Sequence, residues 1–279
     1  MFKILDKEFL SENVARLIIE APYISKSRKA GHFIILRIDK NGERIPLTIA
    51  DADVEKGTIS VIAQRVGVSS HKLCEMNAGD TLLDVVGPLG KATHIAKKGT
   101  VLCAGGGVGV APLFPIVQAM KEAGNRVITV IAARNKDLII LEDEMRKYSD
   151  ELIIMTDDGS KGSKGLVTQG MEEVILREKV NESVVIGPAI MMKFAALTTK
   201  KYEIPTVASL NTIMVDGTGM CGACRVSVGG KTEFVCVNGP EFDAHKVNFD
   251  EMLSRLQAYK AKESGGYAEY LKTLEPALN

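Results

Sequence analysis

From Gly99 to Met120 the chain carries no charged residue, and five glycines and two prolines interrupt the stretch. A run this long and apolar invites a membrane-span reading, but glycine and proline at that density punctuate it into shorter pieces. Thr100-Val-Leu-Cys-Ala104 is an apolar run, Gly105-Gly-Gly-Val-Gly109 follows it directly, and Ala111 to Ala123 has helical spacing. Strand, tight turn and helix are therefore expected in that order. A strand that is apolar at every position needs cover on both faces, which is the property of a parallel sheet. The same pattern recurs in Arg126–Ala132, Glu151–Thr156 and Ser183–Gly187. Residues 99–208 thus read as an α/β parallel-sheet nucleotide-binding domain.

Residues 1–98 follow a different rule. Val14–Glu20, Phe33–Ile38 and Thr58–Ala63 are short β-rich runs, and Asn41-Gly42 and Lys56-Gly57 supply turns between them. This spacing predicts a small antiparallel β-barrel with one helix at Ser69–Glu75, capped by Ser69 or Ser70.

Residues 209–248 form a third module, built on Asp216-Gly-Thr-Gly-Met-Cys221-Gly-Ala-Cys224 with Cys236 beyond. Plant-type [2Fe–2S] loops use C-x4-C-x2-C and a remote fourth cysteine. Here the spacing is kept with an aspartate in the first place, so a carboxylate stands where a thiolate would reach iron. The expected ligands are Asp216, Cys221, Cys224 and Cys236. A zinc site built on the C-x2-C pair is the competing reading, and Asp216 capping the loop is another. Cys74 and Cys103 lie apart and read as buried structural residues. After the module, Phe249, Met252, Leu253, Leu256 and Tyr259 fall at helical spacing within a C-terminal helical tail, 249–279. That face packs on its own chain or docks on a partner.

Lysine plus arginine and aspartate plus glutamate number 35 each, and no basic run occurs, so nothing marks a nucleic-acid or anionic-membrane surface. Met-Phe-Lys-Ile-Leu-Asp-Lys-Glu at the N-terminus lacks the apolar core of a signal peptide, and the cytoplasm is the expected location.

Barrel, nucleotide domain and iron–sulfur loop in this order resemble the ferredoxin reductase superfamily. Within it the chain is similar to the electron-transfer subunits of dihydroorotate dehydrogenase B. Ala208-Ser-Leu-Asn211 and Asp216–Arg225 are more similar to the small subunits of NADH-dependent reduced ferredoxin:NADP oxidoreductases, also called sulfide dehydrogenases. The resemblance implies FAD in the barrel, held by Arg44, Pro46, Leu47 and Thr48, by Ile62, Ala63 and Gln64, and by the turn containing Gly67, Ser69 and Ser70. The superfamily's R-x-Y-S motif is altered: Ile45 stands in the arginine place and Leu47-Thr48 in the Tyr-Ser places, with Arg44 offered as the substitute cation. NAD(H) is implied at Gly105, Gly106, Gly107, Val108 and Gly109. Further contacts are implied at Arg134, at Asp157, Asp158 and Gly159, and at Gly187, Pro188 and Met191. The implied function is an electron-transfer subunit with a larger flavin and iron–sulfur partner that bifurcates electrons to ferredoxin. A dihydroorotate dehydrogenase B subunit is the alternative. Purification colour separates both from a zinc protein.

Overall fold

The computed structural model describes residues 1–274, so the last five positions of the expected tail lie outside the described residues. The first domain contains β1 (Phe2–Ser11), β2 (Val14–Glu20), β3 (Phe33–Arg37), β4 (Ile45–Asp53), β5 (Thr58–Gln64), β6 (Thr81–Leu82) and β7 (Asp84–Leu89). Their order is β6-β1-β2-β5-β4-β3-β7, antiparallel throughout, a nearly closed barrel whose two end strands are neighbours in sequence. Ile4, Leu17, Ile34, Leu36, Ile49 and Val61 fill its interior.

Two helices belong to this domain, α1 (Pro22–Ser27) and α2 (Val68–Glu75). The sequence reading had only the second, because a single turn opened by Pro22 leaves no apolar period to detect. It also misplaced the cap. Gly67 is the N-cap, and Ser70, at the third helical position, reaches back to accept from the backbone N–H groups of Val66 and Gly67 at 3.1 Å each.

The second sheet contains β8 (Thr100–Gly106), β9 (Arg126–Ala133), β10 (Glu151–Thr156), β11 (Ser163–Lys164), β12 (Glu182–Ile186) and β13 (Thr206–Ser209). These strands are parallel, in the order β11-β10-β9-β8-β12-β13. One face is covered by α3 (Val110–Glu122) and α4 (Glu142–Tyr148), the other by α5 (Val167–Arg177) and α6 (Ala189–Lys201). The sheet is not wholly parallel. After the cluster hairpin, β14 (Arg225–Val228) with β15 (Lys231–Phe234), and the short α7 (Val235–Asn238), the strand β16 (Glu241–Asp243) adds antiparallel to β13. The third module therefore completes the second domain's sheet.

Shared packing fixes the parts against each other. Val14, Ala50 and Ile62 of the barrel sit in one core with α3, while Phe33 and Ile35 join the core that contains Cys224 and Cys236. Each Val, Ile or Phe side chain among them, fully buried, contributes about 1.5–3 kcal/mol. Buried Asn125 fastens the connection between the domains: its carbonyl accepts from Lys98 and Gly99 N–H at 2.6 and 3.1 Å, and its amide donates to Ala96 and Met120 carbonyls.

The expected amphipathic helix is α8 (Phe249–Leu256), capped by Asn248, whose side chain accepts from Glu251 N–H at 3.1 Å. Phe249 and Met252 are buried against the same chain, so this face packs internally. Tyr259 lies past its end. A last helix, α9 (Lys260–Leu274), has no buried residue. Among the described residues no helix is long and apolar enough to cross a membrane.

At the joint between barrel and third module, Glu241 is bonded by the Thr93 hydroxyl. Burial first, and the charge of Glu182 with it, push its carboxyl from 4.5 up to about 7. The folded state then holds this proton more tightly than the unfolded chain does, so stability falls as pH rises from about 4.5 to about 7. The whole effect is on the order of 3 kcal/mol. Urea unfolding from pH 4.5 to 7.5 should show Glu241→Gln gaining on the wild type as pH rises; parallel curves would contradict this.

Candidate functional site

Between barrel and sheet lies one cleft of about 1810 Å³. A drug-sized ligand fills roughly 300–1000 Å³, so this space suits more than one small molecule or an extended one. Its barrel wall is the start of β4, the end of β5 and the start of α2: Pro46, Leu47 and Thr48, then Ile62, Ala63 and Gln64, then Gly67, Ser69 and Ser70. Its opposite wall is the carboxyl edge of the parallel sheet: Gly106, Gly107, Val108 and Gly109 after β8, Arg134 after β9, Asp157 after β10, and Gly187, Pro188 and Met191 after β12. Ligands of open α/β sheets bind at that edge.

The glycine turn explains itself atom by atom. A Cβ on Gly109 would meet Gly187 Cα at 2.6 Å and the Ile186 carbonyl at 2.7 Å, so the two strand ends touch there. A Cβ on Gly106 would strike Met191 Sδ at 2.3 Å. Gly107 differs: its φ is +57°, and a Cβ would meet nothing within 4 Å. That is a cradle open to the cleft, just ahead of the N–H groups that begin α3.

Four expected residues are not brought to the cleft. Arg44 is exposed and is not among the residues that line the cleft, although Glu43 and Ile45 on either side of it are. Glu43 there accepts from the Ser69 hydroxyl. Gly105 is buried in β8, where a Cβ would meet Leu113 Cδ2 at 2.9 Å, so it serves strand–helix packing. Asp158 holds its own turn by accepting from Ser160 N–H at 2.9 Å and Oγ at 2.7 Å, bonds that keep its carboxyl below the usual range. Gly159, with φ +77°, shapes the same turn. Other walls were not anticipated: Val14, Leu166 to Thr168, Phe194 and Thr198, Ser209 and Asn211, and Tyr259, Lys262, Glu263 and Gly266 of the C-terminal segment. Of these, Leu166 to Thr168 open a helix after a strand, a signal that was readable.

The cluster loop turns on Gly217, Gly219 and Gly222, whose φ values are +76°, +85° and +65°. Its four expected donors form two pairs. Cys224 and Cys236 are buried with their sulfurs 3.3 Å apart, too far for a disulfide. Burial first, then the Cys224 thiol, push Cys236 up to about 12. At the exposed end the Asp216 carboxylate accepts from the N–H groups of Thr218 (2.9 Å), Met220 (3.0 Å) and Cys221 (2.7 Å), led by Thr218 in holding it below the usual range. The Cys221 thiol lies against the same carboxylate. Among the described residues no three of His, Cys, Asp and Glu converge on one point. A two-iron cluster takes two protein donors at each iron, which is the arrangement of the pairs. Cys103, deep in β8 and pushed to about 12 by burial, is remote from them.

Comparison with known proteins agrees with this anatomy. Residues 211–248 match the iron–sulfur cluster binding domain of dihydroorotate dehydrogenase B, and residues 104–196 match the oxidoreductase NAD-binding domain. The dihydroorotate dehydrogenase B (NAD(+)) electron transfer subunit homolog of Thermotoga maritima is 47% identical over 271 residues, covering 97% of this chain and 96% of that one. The chain belongs to the family of dihydroorotate dehydrogenase B electron-transfer subunits and their homologs. It is therefore an oxidoreductase subunit of the ferredoxin reductase-like fold. A second family member, the probable electron transfer subunit of Methanocaldococcus jannaschii, is 37% identical over 202 residues, covering 72% of this chain and 75% of that one. A chain of the NADH-dependent reduced ferredoxin-NADP oxidoreductase, solved for insight into flavin-based electron bifurcation, superposes with a TM-score of 0.92 at 45% identity, covering 97% of this chain and 98% of that one.

Proposed function

We propose that the chain is the electron-transfer subunit of a bifurcating ferredoxin:NADP oxidoreductase, holding FAD, NAD(H) and a [2Fe–2S] cluster. The single observation that carries this is the cleft, in which the barrel turn at Gly67–Ser70 and the glycine turn at Gly106–Gly109 face one space. Flavin, when bound, converts hydride exchange with a nicotinamide into single-electron exchange with an iron–sulfur centre. The chain's own task is placement. Pro46, Leu47 and Thr48 with the α2 turn would hold the flavin. Gly107 would let a diphosphate approach the α3 N-terminus, and the apolar side chains of Ile62, Ile186 and Met191 would keep water from the space between. Hydride transfer needs no general acid or base, and none is assigned.

Asp216, Cys221, Cys224 and Cys236 would hold the cluster. Iron charge keeps coordinated thiols deprotonated, which offsets the burial that raises Cys236. A larger flavin and iron–sulfur subunit would pass electrons on to ferredoxin.

The 47% identity to the Thermotoga maritima homolog favours a second reading, the electron-transfer subunit of a dihydroorotate dehydrogenase B. Mass spectrometry of the co-purifying partner decides between them: an FMN barrel enzyme would support the second and overturn the first.

Flavin released by heat from anaerobically purified protein should be FAD, yielding AMP on phosphodiesterase cleavage. FMN, or no flavin at all, would contradict the assignment of the barrel.

A further inference from the structure

Helix α9 closes a side of the cleft that neither the barrel nor the sheet supplies. Tyr259 just before it, and Lys262, Glu263 and Gly266 within it, line the space. With Tyr267 and Tyr270 they recur at intervals of three and four, so they share one helical face. The helix has no buried residue, and its adjacent Gly265 and Gly266 each cost about 1 kcal/mol relative to alanine. Side-chain contacts to α2 hold it in place: Tyr267 Oη lies 3.0 Å from His71 Nδ1, the Tyr270 ring stands edge-on to His71 at 5.5 Å, and the Lys72 ammonium lies 5.7 Å from the Tyr270 ring centre. The element so gripped, α2, is the one whose first turn faces the cleft. A Cβ on Gly266 would meet nothing within 4 Å, so the helix backbone there borders open space.

Charge gives this wall a purpose. Arg134 and Lys262 are the cations that line the cleft, and among the described residues neither is paired with a carboxylate. Arg134 belongs to the sheet side and Arg44 is not among the lining residues, so α9 supplies the cleft's other cation.

We propose that Lys262 is a phosphate-binding residue, its ammonium delivered by α9 to the diphosphate of a dinucleotide held in the cleft. This rests on the reading that dinucleotides occupy the cleft, and it deepens that reading by assigning a residue outside the barrel and the sheet. Both flavin and pyridine dinucleotides present the same diphosphate chemistry.

The test uses the full chain as Lys262→Ala, Lys262→Arg and Lys260→Ala, with two binding constants. One is for FAD added back to deflavinated protein, the other for NADH on flavin-loaded protein. Lys262→Ala should weaken one of them about tenfold or more, the size of a lost charge-assisted hydrogen bond. Lys262→Arg should restore most of the loss, and Lys260→Ala, the same loss of charge on α9 outside the cleft lining, should leave affinity unchanged. A loss confined to FAD assigns the flavin diphosphate, and a loss confined to NADH assigns that of the pyridine nucleotide. If neither constant moves beyond about twofold, or if Lys260→Ala weakens binding as Lys262→Ala does, the proposal fails, because a charge at this position is then not what acts. Wild-type protein that binds neither dinucleotide would overturn the parent reading itself, an outcome visible before any variant is made.

Discussion

Asp216→Asn should strip most of the iron from the protein, whereas Asp216→Cys should keep it. The contrast exploits the two jobs the carboxylate can do. In the structure it accepts from the N–H groups of Thr218, Met220 and Cys221, which is the work of a loop cap. Asparagine keeps one carbonyl oxygen for that work but loses the negative charge and the second oxygen. Cysteine does the reverse, losing the oxygens and restoring an anionic donor at a position from which plant-type loops ligate iron. A cap-only role therefore predicts that Asn is the milder change, and a ligand role predicts that Cys is. Iron per chain, visible absorption and EPR of the reduced protein report the difference. Asp216→Cys should also shift the g-values and the potential, since carboxylate oxygen is a harder and less covalent donor than sulfur. Asp216→Ala loses both jobs and should be the most labile of the three. Full iron content and an unchanged spectrum in Asp216→Asn would remove the carboxylate from the ligand set.

That ambiguity shows where sequence reading stops. The x4 and x2 spacings were visible because a loop around a flat cluster fixes them in one dimension. The bonds from three N–H groups to one carboxylate were not, since they depend on three glycine residues at positive φ. The parallel sheet was likewise legible from continuous apolar strands, and the barrel from short β-rich runs separated by turn signals. The antiparallel addition of β16 to β13 was hidden, because its three residues carry no period and owe their place to the turn at Pro240 and to packing. Within the cleft, turns directly after strands were found, and most of their residues line it. The expected residues that do not line it have separate local settings: Gly105 packs against Leu113, and Asp158 and Gly159 shape their own turn. Arg44 is exposed and does not line the wall, although the residues on either side of it do. The wall formed by α9 was beyond reach. Its apolar content is too low for a core helix, and its place is set by a histidine–tyrosine contact between residues far apart in the chain.

Gly107→Glu should abolish NADH reduction of the bound flavin while leaving the fold and the flavin content intact; Gly109→Ala, a far smaller change in volume, should instead damage the fold. The reasoning is steric and local. At Gly107 a side chain enters open space, so the structural cost is the left-handed φ of +57°, about 1 kcal/mol for a residue with a Cβ. The functional cost is large, because a carboxylate then occupies the cradle where a diphosphate must approach the α3 N-terminus, and like charges repel. At Gly109 a single methyl would lie 2.6 Å from Gly187 Cα and 2.7 Å from the Ile186 carbonyl, and backbone on both sides cannot swing aside as a side chain can. The turn after β8 must then separate from the end of β12, and overpacking of that kind costs about 1–3 kcal/mol. Stopped-flow reduction by NADH, flavin stoichiometry and urea unfolding on the two variants measure each part. Gly107→Glu with wild-type reduction rates would remove NAD(H) from the glycine turn. Gly109→Ala with unchanged stability would show that the contact between the two strand ends carries no strain when a methyl is added.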